Sequence, residues 1–166
     1  MQITSSFNRI LINRSCLLVP LLLITALVLV QTAAGIFFLL THINAETFEQ
    51  LHVREETIAV LLVGFGVFLE GREILAKHVH GVTDFAHMPV EASLNHTCEI
   101  FGYYLLVVGL FIEVVHQIQS ALEAYPTLVL FIGVGFNLPL NLIAIGLLVN
   151  AIVSMLSAGK TQPAAP

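Results

Sequence analysis

Four long apolar stretches take up most of the chain, near 15–41, 57–77, 97–119 and 126–157. A helix rising 1.5 Å per residue crosses a ~30 Å hydrocarbon core in about 20 residues, so each stretch is a candidate crossing. Three are long enough to cross as they stand. The second is broken after Leu69 by Glu70, Arg72 and Glu73. Ionisable groups at membrane depth are costly and call for a structural or functional reason.

Composition supports a membrane solution over a soluble one. Only 10% of residues are charged and 57% are hydrophobic, against about 25% charged in soluble domains. The expected fold is all-α: a single domain over 1–158 with four transmembrane helices in an antiparallel bundle, and a disordered tail over 159–166. The surroundings are then the lipid bilayer. A net charge of -5 with six scattered Lys and Arg residues argues against nucleic acid, which requires clustered cations.

The N-terminus resembles a secretory signal, with Arg9 and Arg14 ahead of an apolar run and small residues at Thr32-Ala33-Ala34-Gly35. The run resumes at Ile36 to Leu40, which favours a retained anchor helix, with cleavage after Ala34 as the alternative. Arg9, Arg14, Arg72, Lys77 and Lys160 fall on one face if the chain crosses four times. The positive-inside rule then places both termini in the cytoplasm, in a cytoplasmic (inner) membrane. Thr57 and Thr97 are the expected helix starts, with Asn95 competing, and Pro126 suits a first helical turn. Asn44 to Glu56 reads as an acidic outer loop. Cys16 and Cys98 each open a span and read as small apolar residues, not as a redox pair.

Glu70 lies ~20 Å from the outer face by counting from Thr57, and Glu113 lies ~24 Å from the inner face by counting from Thr97. Aligning Ala76 opposite Cys98 sets Glu70 against Tyr104 and brings Arg72 close to Glu73 and Glu99. Depth matching then gathers Gln31, Glu70, Tyr104 and Asn141, with Asn137 one turn away, into one polar intramembrane layer. Arg72 with Glu73 or Glu99 forms an ion pair at the inner interface. The plainest role for such a layer is fixing helix register by interhelical hydrogen bonds. Its functional counterpart is a shielded Glu70 that carries a proton or a cation. Pro139, between Asn137 and Asn141, frees the carbonyl of Gly135 and kinks the last helix.

Metal and cofactor chemistry find little support. Glu113-x-x-His116 has the ligand spacing of di-metal bundles, but Glu70-x-x-Glu73 lies at a different depth and cannot complete it. The seven histidines fall near span ends or in loops, which disfavours a bis-histidine haem. His78, His80, His87 and His96 are weak candidates for a divalent ion on the His-rich connection. No metal and no cofactor is expected. Gly66 to Glu73 and Gly109 to His116 share the pattern Gly-x-Phe-aliphatic-Glu, which apolar helices also share by chance. Gly64, Gly66, Gly102 and Gly109 read as close helix contacts.

No serine or cysteine stands with a base and an orienting acid, so the chain is not expected to be an enzyme. The expected role is a structural or accessory subunit of a membrane complex or homo-oligomer. The alternative is a small transporter or ion conductor built on Glu70, Tyr104, Asn137 and Asn141.

Overall fold

A computed structural model describes residues 14–41, 45–81, 89–122 and 124–157, without the side chains of 14–16, 38–41, 45–54, 79–80, 89 and 126. The first thirteen residues, His42, His87 and the tail expected over 159–166 lie outside it, as do the side chains of Cys16, His52 and His80. The described chain is all helical: α1 Arg14–Thr41, α2 Ala45–Glu70, α3 Arg72–His80, α4 Pro89–Ala121, α5 Pro126–Ile132, a π-helical turn Gly133–Asn137, and α6 Leu138–Ser157. Among the described residues three segments are long and apolar enough to cross a membrane: Leu17–Phe37, Val90–Ala121 and Thr127–Ser157.

Two helices begin earlier than expected. α2 starts at Ala45, so Thr57 is internal and most of the expected acidic loop is helical. Glu, Gln, Leu and Arg dominate 46–56, and these residues sustain a helix without any apolar requirement. α4 starts at Pro89, so Asn95 and Thr97 are internal, and Thr97 Oγ1 donates to Ser93 O at 2.9 Å. Pro126 does open its helix. α3 ends on Gly81 at φ 64°, a left-handed cap whose N–H reaches Lys77 O.

α2 and α4 make the most extensive helix pair, and glycines explain their closeness. A Cβ on Gly66 would lie 2.7 Å from Gly102 O and Leu106 N, and one on Gly109 would lie 2.9 Å from Val63 N. The backbones therefore touch, and the pairs Gly66–Gly102 and Val63–Gly109 run antiparallel. Gly64 has open space around it and takes no part in the seam.

This seam corrects the expected register. Matching Ala76 with Cys98 sets Gly66 against Val108, whereas a Cβ on Gly66 would fall against both Gly102 O and Leu106 N, two to six positions earlier on α4. Counting depth from assumed span ends cannot see which residues permit backbone contact, and the contact decides.

The interior is Leu17, Leu21, Val28, Leu62, Leu69, Leu105, Ile112, Ala144 and Leu148, all buried. α1 faces it at Leu17, Leu21, Ile24 and Val28, and α6 at Asn141, Ala144, Leu148, Ala151 and Met155, both in steps of three and four. Thr25 and Thr32 are buried but donate to Leu21 O and Val28 O within their own helix.

Candidate functional site

Polar side chains gather at two ends of the α2–α4 pair. At one end Arg72, 1% exposed, donates through Nη1 to Asn95 Oδ1 and through Nη2 to Glu91 Oε2 at 2.9 Å. Its acid is therefore Glu91, not the expected Glu73 or Glu99. Glu73 pairs instead with Lys77 at 2.6 Å, and Glu99 lies 3.9 Å from His96 on the exposed face. With α4 shifted in this sense, Arg72 reaches Asn95 and Glu91, and Glu99 lies beside His96 instead.

At the other end Asn137 is 1% exposed and its Nδ2 donates to Glu55 Oε2 at 2.5 Å and to Gln119 Oε1 at 2.8 Å. Gln119 Nε2 in turn donates to Val129 O at 3.3 Å. A Cβ on Gly133 would lie 3.0 Å from that Nε2, so a glycine leaves room for Gln119 to reach α5. Beside this chain, His116 Nε2 lies 3.9 Å from Glu56 Oε2. Glu55 precedes the apolar stretch that starts at Thr57. Burial pushes its carboxyl up to about 7, against a lowering contribution from the Asn137 hydrogen bond.

The π-helical turn is what presents Asn137 here. Pro139 has no N–H and its ring crowds the carbonyl four residues back, that of Gly135. Widening the helix over Gly133–Asn137 accommodates the ring, and Leu138 N–H then bonds Gly133 O. Such single wide turns often mark functional positions.

The expected intramembrane layer divides. Gln31, Asn137 and Asn141 are buried, whereas Glu70 and Tyr104 face outward. Tyr104 lies two residues beyond Gly102, about 200° around α4 from the seam. On α2 the inward position is taken by Leu69, which turns Glu70 to the rim. Glu113 and His116 share one side of α4, but Glu113 accepts from Gln117 at 2.8 Å while His116 faces Glu56. Neither approaches Glu70 or Glu73. His78 and His96 are both exposed. Among the described residues no three His, Cys, Asp or Glu side chains converge on a common point.

Three residues of consequence are missing from the expected set: Glu55, Gln119 and Asn150. Glu55 is hidden by the reading of 44–56 as a loop. Gln119 sits at a span end, where polarity attracts no notice. Asn150 is exposed near the middle of an apolar helix, and its signal is the sequence Leu147-Leu148-Val149-Asn150-Ala151, a lone amide in hydrocarbon.

Comparison with protein-family models, with curated proteins and with solved structures finds no match. The functional reading rests on the residues.

Proposed function

We propose that this protein is a four-crossing membrane subunit whose role is assembly, joining copies of itself or other membrane subunits, with no enzymatic activity. The fourth crossing is α2 continued by α3. Its support is the spacing of the polar ends: 21 steps along α4 from Asn95 to His116, and 17 along α2 and α3 from Glu55 to Arg72. At 1.5 Å each these span about 32 and 26 Å, bracketing a ~30 Å hydrocarbon core. In this frame the four helices alternate in direction, and Glu70 sits at the inner rim beside Arg72. The Arg72 and Lys77 end and both termini are cytoplasmic, in the inner membrane.

One observation carries the assembly role: an uncovered face of α6 with an amide in it. Leu142, Gly146, Asn150 and Val153 recur in steps of three and four and are all exposed. Asn150 makes no side-chain hydrogen bond among the described residues, and lies 13 residues, ~20 Å, along the helix from Asn137. An amide facing lipid there loses its hydrogen bonds to water, and a polar partner on another helix restores them. Gly146, one turn away, has nothing within 4 Å and admits a close backbone. A carboxamide both donates and accepts, so a second Asn150 is a matching partner.

Conduction is favoured less, because Leu62, Leu69, Leu105, Ile112 and Leu148 fill the space between the polar ends and Glu70 points away from it. The test is energy transfer between labelled copies in liposomes across a range of protein-to-lipid ratios. Asn150→Leu is expected to weaken association about tenfold, the equivalent of roughly 1–2 kcal/mol. Association equal to wild type in that variant, or wild-type copies that neither self-associate nor co-purify with another subunit, would overturn the reading.

A further inference from the structure

Glu55 and Asn137 meet as a carboxyl and a primary amide with one hydrogen bond missing. Both amide protons of Asn137 are used, on Glu55 and on Gln119. Its Oδ1 is fully buried and accepts from no group among the described residues. An acceptor left so costs about 1–3 kcal/mol of desolvation. An ionised carboxylate has only lone pairs to offer and cannot fill the gap, whereas a protonated one carries an O–H. A carboxylic acid beside a primary amide exchanges two hydrogen bonds, N–H to the acid oxygen and O–H to the amide oxygen. The first is already made at 2.5 Å.

We propose that Glu55 is a proton-binding site completed by Asn137, where a proton taken from solvent onto the carboxyl is donated to Asn137 Oδ1. The resulting two-bond pair ties α2 to the π-helical turn ahead of α6. Release of the proton leaves one bond and returns the carboxylate. The site is independent of the α6 face proposed for assembly, which lies on the other side of that helix.

Among the described side chains the charged groups around it are few. On α2 the neighbour is Glu56; from α4 come His116, 3.9 Å from Glu56, and Glu113 one turn further along. The described side chains of α5 and the π-helical turn carry no charge. The buried carboxyl, raised from an ordinary 4.5 to about 7, binds its proton more tightly in the folded state than in the unfolded one. Its contribution to stability is therefore complete below the unfolded value of 4.5 and is lost as pH rises through about 7.

The test uses the full chain in lipid nanodiscs, with thermal unfolding and infrared difference spectra from pH ~5 to ~8.5. Wild type is expected to lose a carboxylic-acid band with a midpoint near 7 and to melt at lower temperature above it. Glu55→Gln, whose amide donates at every pH, is expected to lack the band and to melt independently of pH over that range. Asn137→Leu removes the acceptor, and the Glu55 band then moves to the position of an acid with a free O–H. A wild-type pH slope in Glu55→Gln, or a band unmoved by Asn137→Leu, would overturn the proposal. The band position in Asn137→Leu decides the matter even where Glu55→Gln fails to fold.

Discussion

Arg72 illustrates how a single residue is tolerated in an apolar setting. The cation is fully buried, but the carboxylate of Glu91 remains 29% exposed, so one partner is dehydrated and the other is not. Removing either has unequal consequences. Glu91→Ala takes a carboxylate from a buried cation, which costs about 3–5 kcal/mol where it is the main counter-charge and less where other groups and water reach the site. Arg72→Met removes the charge and fills the same space with an apolar chain, and Glu91 can turn to solvent. Denaturation in mixed micelles should therefore rank Glu91→Ala as the more damaging change, by about 2 kcal/mol. The reverse order would mean that Arg72 is hydrated in the membrane. The Arg72 ion pair was legible in the sequence as to its base but not its acid. Charge alone offers Glu73, Glu91 and Glu99, and only the helix register chooses among them.

At the scale of elements, the α2–α4 seam depends on the absence of a Cβ at Gly66, Gly102 and Gly109. Gly66→Ala would drive a methyl group into Gly102 O and the Leu106 backbone at 2.7 Å, neither of which can rotate aside. Overpacking of this kind costs about 1–3 kcal/mol, and a backbone obstacle belongs at the upper end. Gly64→Ala meets nothing within 4 Å and should be neutral or stabilising by up to ~1 kcal/mol through helix propensity. Comparing the two variants by thermal melting separates contact from propensity, because both replace glycine in the same helix.

The helices themselves were largely readable from hydropathy, since α1 and the last helical stretch end where the apolar runs end. The starts of α2 and α4 were not, because a helix continues through good helix formers beyond the apolar limit. Nor was the Glu55, Gln119 and Asn137 chain readable. It needs the polar start of α2 to be helical, and it needs the wide turn before Pro139 to present Asn137 toward α4.

For the whole molecule, an apolar interior capped by two polar ends fits the proposed assembly role better than conduction, because the described core side chains between those ends are apolar. Reconstituted Glu70→Gln should therefore behave as wild type in a cation-flux assay, with normal assembly, because Glu70 sits at the rim. Wild-type flux abolished by that substitution would restore the conductor reading. The proposed assembly rests on a different exposed polar residue, Asn150, and on the face of α6 around it. Its most direct test is the number of protein chains per particle, measured by mass spectrometry of complexes released from native membranes. Wild type is expected to give particles holding more than one chain, and Asn150→Leu mostly single chains at the same expression level. Wild-type particles with one chain and nothing else would contradict it.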